Sequence, residues 1–192
     1  MRVVILKHNA GNVLSVTHAL RRLGVEPEIS DDPQAIAAAD KVIFPGVGEA
    51  SSAIVYLRAR GLDQVIVSLK NPVLGICLGL QLLCRKSEEG GAECLGVFPE
   101  EVRRFPPGGK IPHMGWNKVY DLRGPLFTGL KEPFMYFVHS YYAPCGAFTC
   151  ARAEYNLPFS AAMQRENFFA VQFHPEKSGV EGRAILQNFI KL

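Results

Sequence analysis

A cysteine between two glycines is the feature of this sequence best suited to chemistry. The pentapeptide Gly75-Ile76-Cys77-Leu78-Gly79 follows an aliphatic run and precedes an apolar segment. It has the form G-x-C-x-G, the cysteine counterpart of the sharp turn that presents a nucleophile. A helix beginning at this point favours the thiolate, and the Leu78 N–H would face an oxyanion formed on an attacked carbonyl. A buried cysteine in an ordinary strand-to-helix turn is the alternative, and the pentapeptide alone does not decide.

A cysteine nucleophile needs a base, and the chain has five histidines. His174 is the best placed, because it directly follows a predicted strand at residues 168–173. Strand ends of α/β sheets line the crevice in which ligands bind. Glu176, beyond a stiffening proline, could accept a hydrogen bond from the imidazole and fix its tautomer. Taken alone, His-Pro-Glu fits a surface turn better than a catalytic pair.

A glycine-rich turn, Pro45-Gly46-Val47-Gly48, follows another predicted strand. Glycines at a strand end can expose backbone N–H groups and supply the second half of an oxyanion hole. The alternative is a plain strand-terminating turn. The spacing lacks G-x-G-x-x-G and no Walker lysine follows, so the turn is not a phosphate cradle.

Alternating strands and helices are predicted to position these residues. Continuous aliphatic runs predict strands at residues 3–6, 25–29, 41–44 and 72–76, and helical spacing predicts helices at residues 12–23, 50–69 and 78–84, with another from residue 33. Asn12 is the expected N-cap of the first helix. This order predicts an α/β, doubly wound, mostly parallel sheet flanked by helices.

The second half changes character. Glycine, proline and aromatic residues separate short strand-like runs at residues 100–105, 118–122 and 134–138. They predict an additional antiparallel β region at the sheet edge, followed by the strand at 168–173 and a helix at 181–190. A length of 192 residues suits one domain, so residues 1–192 are expected to form a single unit.

Composition excludes several function classes. The formal charge is +3 with no concentrated basic stretch, which argues against a nucleic-acid partner. No apolar run approaches the roughly 20 residues of a membrane span. Five irregularly spaced cysteines predict a reducing compartment, and the lack of Cys-x-x-Cys argues against zinc. We therefore expect a cytoplasmic protein with no metal and no membrane association.

The three motifs together resemble the class I (triad type) glutamine amidotransferases. The matching segments are Pro45-Gly46-Val47-Gly48, the run from Pro72 to Gln81, and Gln172-Phe173-His174-Pro175-Glu176-Lys177-Ser178. The heptapeptide Ile111-Pro112-His113-Met114-Gly115-Trp116-Asn117, with the run from Tyr136 to Tyr142, is similar to the glutaminase subunits of imidazole glycerol phosphate synthases.

The resemblance implies a mechanism for this chain. Cys77 would attack the side-chain amide of glutamine, His174 would protonate the leaving ammonia and activate water, and Glu176 would orient His174. The resemblance assigns the oxyanion to the N–H groups of Leu78 and of the Gly46-Val47 segment. It assigns the glutamine α-amino and α-carboxylate groups to contacts with Gly48, Gln81, Ser140 and Tyr141.

A partner is implied as well. Members of the family form a heterodimer with a (β/α)8 barrel cyclase, which uses the ammonia to make imidazole glycerol phosphate and an aminoimidazole carboxamide ribotide in histidine biosynthesis. The family needs no metal or organic cofactor. The alternatives are an amidotransferase serving another acceptor, a non-catalytic glutamine-binding regulatory module, and a γ-glutamyl hydrolase or peptidase.

Two segments depart from the family pattern. The first loop, Lys7-His8-Asn9-Ala10-Gly11-Asn12, matches it only in its last part, and Glu49-Ala50-Ser51 follows Gly48 in place of a small residue and Phe. Both put the coupling between subunits in question and leave the triad intact.

Overall fold

The computed structural model describes residues 1–8 and 12–192. Asn9, Ala10 and Gly11, in the atypical first loop, lie outside the described residues. The helices are α1 (Val13–Arg21), α2 (Pro33–Ala37), α3 (Ala50–Ala59), α4 (Leu62–Ser68), α5 (Leu78–Leu83) and α6 (Gly179–Lys191). The strands are β1 (Val3–Leu6), β2 (Glu28–Ser30), β3 (Lys41–Gly46), β4 (Val73–Cys77), β5 (Lys86–Ser87), β6 (Ala92–Glu93), β7 (Glu101–Arg104), β8 (His113–Lys118), β9 (Phe134–His139), β10 (Tyr141–Tyr142), β11 (Thr149–Tyr155), β12 (Leu157–Arg165) and β13 (Phe168–Val171).

A seven-stranded sheet forms the centre of the molecule, in the order β11-β12-β13-β4-β3-β1-β2. The five strands from β13 to β2 are parallel, and β11 and β12 add an antiparallel edge. The predicted doubly wound, mostly parallel sheet is confirmed. The sequence failed to predict β11 and β12, although it anticipated an antiparallel edge.

Both faces of the sheet are covered. In β1, Val3 and Ile5 pack into a core that contains residues of α1 and α6, whereas Val4 and Leu6 pack into a second core with residues of α2 to α5. A strand buried on both faces needs apolar residues at every position, which explains the unbroken aliphatic runs.

Strands between residues 86 and 142 lie outside the main sheet. Four of them form a small sheet in the order β10-β7-β5-β6, and β8 pairs with β9 in an antiparallel ribbon. The strand predicted at residues 118–122 is wrong: β8 ends at Lys118, and Tyr120 makes only an isolated bridge to Arg152. In β8 the buried position is His113 while Met114 and Trp116 are exposed. In this strand the polar residue is buried and the apolar residues are exposed, the reverse of the usual pattern. The pattern of hydrophobic residues therefore did not predict the strand.

The sheet order brings the three predicted motifs together. Strands β3, β4 and β13 are adjacent, and their carboxyl ends carry Gly46, Cys77 and, three residues beyond β13, His174. Gly46 is the register partner of Cys77. In the part of the chain that the structure describes, no helix is both long and apolar enough to cross a membrane.

Candidate active site

Cys77 occupies a strained turn between β4 and α5. Its φ is 55° and its ψ is −106°, a conformation that costs an L-residue about 1–3 kcal/mol. The flanking glycines are required by close packing. A Cβ on Gly79 would lie 1.9 Å from the Phe44 carbonyl oxygen, and one on Gly75 would lie 2.8 Å from Leu83 Cδ1. The turn is thus built to hold Cys77 at the sheet edge.

His174 and Glu176 form a buried pair beside this turn. Nδ1 of His174 lies 2.8 Å from Oε1 of Glu176, with side-chain exposures of 1% and 0%. The carboxylate can only accept, so Nδ1 carries the hydrogen and donates it. Nε2 of His174 is also buried, and the group that interacts with the ring on this side is Cys77. This nitrogen is therefore placed to exchange a proton with the nucleophile or with the group that the nucleophile attacks.

The charges around His174 favour its protonated form. Burial by itself lowers the pKa of His174, but the attraction of Cys77 and a hydrogen bond to it, followed by the hydrogen bond and charge of Glu176, outweigh burial and raise the pKa to about 10. Cys77 is the larger of the two favourable influences, so the imidazolium of His174 is held between Cys77 and Glu176. A positively charged ring beside a cysteine is the arrangement in which a thiol serves as a nucleophile with an adjacent proton donor.

A cavity of about 310 Å³ opens in front of Cys77. Its lining comprises Val47, Gly48, Cys77, Leu78, Gln81, Glu89, Pro112, Val138, His139, Ser140 and Tyr141. Among these are most of the site residues predicted from the sequence. Gly46 does not line it and instead packs against Leu78, where a Cβ would lie 2.7 Å from the Leu78 Cβ. His174 and Glu176 do not line it either, because both side chains are buried behind the nucleophile turn.

Gln81 ties the cavity wall to the region of the nucleophile. Its Nε2 donates to the Tyr141 carbonyl at 3.0 Å and to Gln172 Oε1 at 3.2 Å. Gln172 Nε2 in turn lies 3.6 Å from the Cys77 sulfur. Both hydrogens of the Gln81 amide nitrogen are therefore used in hydrogen bonds within the protein. The side-chain carbonyl oxygen of Gln81 is the group that can accept a hydrogen bond from a ligand. The sequence did not predict Gln172 as a site residue. It lies just beyond the end of β13, two residues before His174, so it belongs to the same end of the sheet.

Glu89 and Asn12 have roles at the site that the sequence did not indicate. Glu89 contributes the one carboxylate in the lining of the cavity that opens at Cys77, and it accepts a hydrogen bond from the Ala50 N–H at 2.8 Å. Burial raises the pKa of Glu89. Asn12 donates from Nδ2 to Glu176 Oε1 at 2.7 Å. No local pattern marks either residue, because each acts on a distant part of the chain.

The other histidines have different roles. His18 is exposed on α1, and His8 is buried and donates to the Pro45 carbonyl. His113 and His139 contact one another. Within residues 1–8 and 12–192, no group of three or more His, Cys, Asp or Glu side chains is arranged to hold a metal ion.

Known proteins resemble this chain over its full length. The family model for "Glutamine amidotransferase class-I" matches residues 4–192. Proteins named "Imidazole glycerol phosphate synthase subunit HisH" are 54% identical in Bacteroides fragilis (strain YCH46) and 46% identical in Escherichia coli (strain K12), each with 100% of both chains covered.

Solved structures at lower identity share the fold. A protein from Thermoplasma acidophilum described as part of a putative GMP synthase superimposes with a TM-score of 0.76 at 22% identity, covering 100% of this chain and 93% of the other. A structure described as a glutamine amidotransferase gives 0.77 at 19% identity, covering 98% and 97%. The family match and the full-length relatives agree with the geometry at Cys77, and the chain therefore belongs to the class I glutamine amidotransferases.

Proposed function

We propose that this protein is the glutaminase subunit of an imidazole glycerol phosphate synthase and acts as a single domain over residues 1–192. It hydrolyses glutamine to glutamate and ammonia, and passes the ammonia to a cyclase subunit. The observation that carries the proposal is the meeting of Cys77, in its strained turn, with the buried His174–Glu176 pair on the neighbouring strand end. The full-length relatives, whose names describe a synthase subunit, support it.

The first half-reaction forms a thioester. The Cys77 thiolate attacks the side-chain carbonyl carbon of glutamine, and the electron pair of the C=O bond moves onto oxygen. As the tetrahedral intermediate collapses, the C–N bond breaks and His174 Nε2 gives its proton to the departing ammonia. The raised pKa of His174 means that this proton is present in the resting site. Proton transfer of this kind contributes about 10²–10⁴-fold to the rate.

The second half-reaction restores the enzyme. His174 is neutral after ammonia leaves, and its Nε2 takes a proton from water as the water oxygen attacks the thioester. The C–S bond then breaks, so glutamate leaves and Cys77 returns as thiolate beside an imidazolium. Glu176 holds His174 in one tautomer and orientation through both steps.

Backbone N–H groups are proposed to hold the oxyanion. Leu78 is the first residue of α5, so its N–H has no acceptor within the helix. Val47 lies just beyond the last paired residue of β3, and the Gly46-Val47 segment supplies the second donor. Removing one such donor typically costs about 2.7–4 kcal/mol of transition-state stabilisation.

The remaining lining residues suit the amino-acid end of glutamine. Glu89 presents a carboxylate to the α-ammonium of glutamine. Burial disfavours the charged form of this carboxylate, and a bound ammonium group would stabilise it again. The backbone of Ser140 and Tyr141 and that of Gly48 would contact the α-carboxylate and α-amino groups, and Gln81 offers its amide oxygen. A cavity of about 310 Å³ is of the right order for one amino acid.

A (β/α)8 barrel cyclase is the proposed partner, with both proteins in the cytoplasm. Met114, Trp116 and Val180 are 63%, 56% and 79% exposed. Trp116 lies close to Gly179, because a Cβ built on Gly179 would be 3.9 Å from the indole ring. Val180 directly follows Gly179 in the chain, which brings its side chain to the same region of the surface. Exposed apolar groups gathered in this way mark a protein interface. Five free cysteines suit a reducing compartment.

The test compares two nitrogen sources in the assembled synthase. Cys77→Ala is expected to abolish glutamine-dependent formation of imidazole glycerol phosphate and to leave ammonia-dependent formation unchanged, because only the glutaminase half is lost. Cys150→Ala removes another buried thiol, on β11, and should leave both activities intact. Retained glutamine use by Cys77→Ala would overturn the proposal, as would a failure of the wild-type complex to use glutamine.

A further inference from the structure

Two buried histidines outside the triad face each other across the β8–β9 ribbon. His113 and His139 are paired in its antiparallel register and are 4% and 5% exposed. Nδ1 of His113 lies 3.0 Å from Nε2 of His139. The aromatic rings of Phe105 and Phe159 pack against both. Polar rings buried among aromatic side chains cost free energy unless each nitrogen is paired.

Asn117 fixes the start of a hydrogen-bond chain through this pair. Its Oδ1 accepts from the Lys118 N–H at 2.8 Å, and its Nδ2 donates to the Glu154 carbonyl at 2.9 Å. Since a backbone N–H can only donate and a carbonyl can only accept, the orientation of the amide is determined. Nδ2 also lies 3.2 Å from His113 Nε2, so that ring nitrogen must accept.

The tautomers of His113 and His139 follow from the groups at the two ends of this hydrogen-bond chain. A neutral His113 that accepts at Nε2 carries its hydrogen on Nδ1, which donates to His139 Nε2. At the other end, His139 Nδ1 lies 2.8 Å from the Tyr141 carbonyl, so Nδ1 of His139 carries the hydrogen and Nε2 accepts. Asn117 and Tyr141 therefore require the same pair of tautomers, and all four ring nitrogens are hydrogen-bonded.

The surroundings keep the pair neutral. Burial lowers the pKa of His113 to about 4 and that of His139 to about 3. The nearby charge of His174 lowers the pKa of His139 further. At physiological pH the donors and acceptors therefore keep one fixed direction, from Asn117 towards Tyr141.

The chain of hydrogen bonds that starts at Asn117 ends at the glutamine cavity. The Tyr141 carbonyl accepts from His139 and also from Gln81 Nε2, and Ser140, Tyr141 and Gln81 all line the cavity. Its other end lies on β8, next to the exposed Trp116. A polar path thus joins the surface strand to the wall of the cavity.

We propose that His113 and His139 are positioning residues that hold the Tyr141 carbonyl, and with it the Ser140–Tyr141 wall, in the geometry that receives glutamine. This rests on the proposed glutamine cavity. His139 itself forms part of the cavity wall, but the hydrogen bonds of the pair go to Asn117 and to the Tyr141 carbonyl, whereas Cys77 and His174 are contacted by Gln172 and Glu176. Loss of either ring should therefore weaken recognition of the amino-acid end of the substrate and spare the reactivity of the thiolate.

Two electrophiles separate recognition from reactivity in the full chain. Iodoacetamide alkylates a reactive thiolate and carries no amino-acid group, whereas 6-diazo-5-oxo-L-norleucine has the α-amino acid end of glutamine. Rates of modification at Cys77 are measured by peptide mass spectrometry, which distinguishes it from the other four cysteines. The readout is the ratio of the diazo-norleucine rate to the iodoacetamide rate.

His113→Phe and His139→Phe keep a planar ring and remove the hydrogen bonds. We expect each to lower the ratio by about tenfold, which corresponds to about 1.4 kcal/mol, with the iodoacetamide rate within about twofold of wild type. Phe105→Leu is the matched control, because it disturbs the same aromatic cluster and leaves every polar contact of the pair. His18→Phe, on the exposed face of α1, controls for the substitution itself.

Several results would overturn the proposal. One is an unchanged ratio in both histidine variants, and another is an equal slowing of both reagents, which would place the pair in the reactivity of Cys77 or in folding. If Phe105→Leu lowered the ratio as much as the histidine variants do, the loss would come from disturbed packing of the aromatic cluster and not from the lost hydrogen bonds. If the phenylalanine variants do not fold, Asn117→Ala, which removes the donor to His113, must lower the ratio several-fold; an unchanged ratio there overturns the inference. A wild-type chain with no preference for diazo-norleucine would instead refute the proposed function, and the positioning role would fall with it.

Discussion

Asn12 and His174 donate to the same oxygen of Glu176. The Asn12 Nδ2 and the His174 Nδ1 lie 2.7 Å and 2.8 Å from Oε1, although Asn12 and Glu176 are 164 residues apart in the chain. Asn12 does occupy the N-cap position of α1, as expected, but its side chain makes no capping hydrogen bond. It is committed to the carboxylate that orients the general acid.

Asn12→Ala should therefore reduce turnover more than binding. Without this donor the Glu176 carboxylate loses one of its two restraints, and His174 samples orientations that do not reach the leaving ammonia. We expect kcat for glutamine hydrolysis by the assembled synthase to fall about tenfold, the effect of roughly one hydrogen bond, with KM little changed. Asn188→Ala, which removes an amide bonded to Leu126 and Thr128 carbonyls, is the matched control. An unchanged kcat in Asn12→Ala would contradict this role.

The pKa of His174 should depend on Cys77 more than on Glu176. In wild type the pKa is raised to about 10, so its contribution to folding is complete below pH 6.5 and is lost as the pH rises through about 10. Cys77→Ala removes the larger favourable influence and leaves the burial, so the pKa should drop further than in Glu176→Gln. An NMR titration of the labelled His174 ring measures both. A larger drop in Glu176→Gln would reverse the assigned order.

Glu89→Gln should weaken glutamine binding. The amide can still accept from the Ala50 N–H, but it cannot attract the α-ammonium as a carboxylate does. Loss of a charge-assisted hydrogen bond predicts a rise in KM of about tenfold to a hundredfold with a smaller change in kcat. Glu88→Gln, at the adjacent exposed position, should leave steady-state kinetics unchanged. Equal KM values for the two variants would exclude Glu89 from the binding site.

The predictable parts of the molecule are those with local causes. Gly75 and Gly79 mark the turn at Cys77 because their own neighbours leave no space for a Cβ, and aliphatic runs mark the buried strands. Residues such as Glu89 and Asn12 escaped prediction because their partners, Ala50 and Glu176, are 39 and 164 residues away. Strand β8 escaped prediction because two of its exposed positions, Met114 and Trp116, are apolar, whereas its one buried position is a histidine.

Gly79→Ala should disrupt the turn at Cys77. The added Cβ would lie 1.9 Å from the Phe44 carbonyl oxygen, which is backbone and cannot rotate away. We expect a loss of about 1–3 kcal/mol or more in the free energy of unfolding, with loss of glutaminase activity, since α5 must move away from β3 and the turn at Cys77 moves with it. Gly91→Ala is the control, because no atom lies within 4 Å of its Cβ position; its positive φ of 61° adds only backbone strain. Denaturant unfolding compares them, and similar losses would show that the close approach to Phe44 is unimportant.

Acid should destabilise the protein through the buried histidine pair. The pKa of His113 is lowered to about 4 and that of His139 to about 3, so in the folded chain they stay neutral while their unfolded counterparts protonate below about pH 6.5. The unfolded state then binds more protons, and stability falls as the pH drops from about 6.5 towards 4. Each such histidine contributes a slope of up to about 1.36 kcal/mol per pH unit in this window. His139→Phe should flatten the slope by about one proton, whereas Phe105→Leu, which disturbs the same cluster and keeps both histidines, should not. Urea unfolding at intervals between pH 4 and 7 measures it, and equal slopes in wild type and His139→Phe would mean that His139 is protonated in the folded protein.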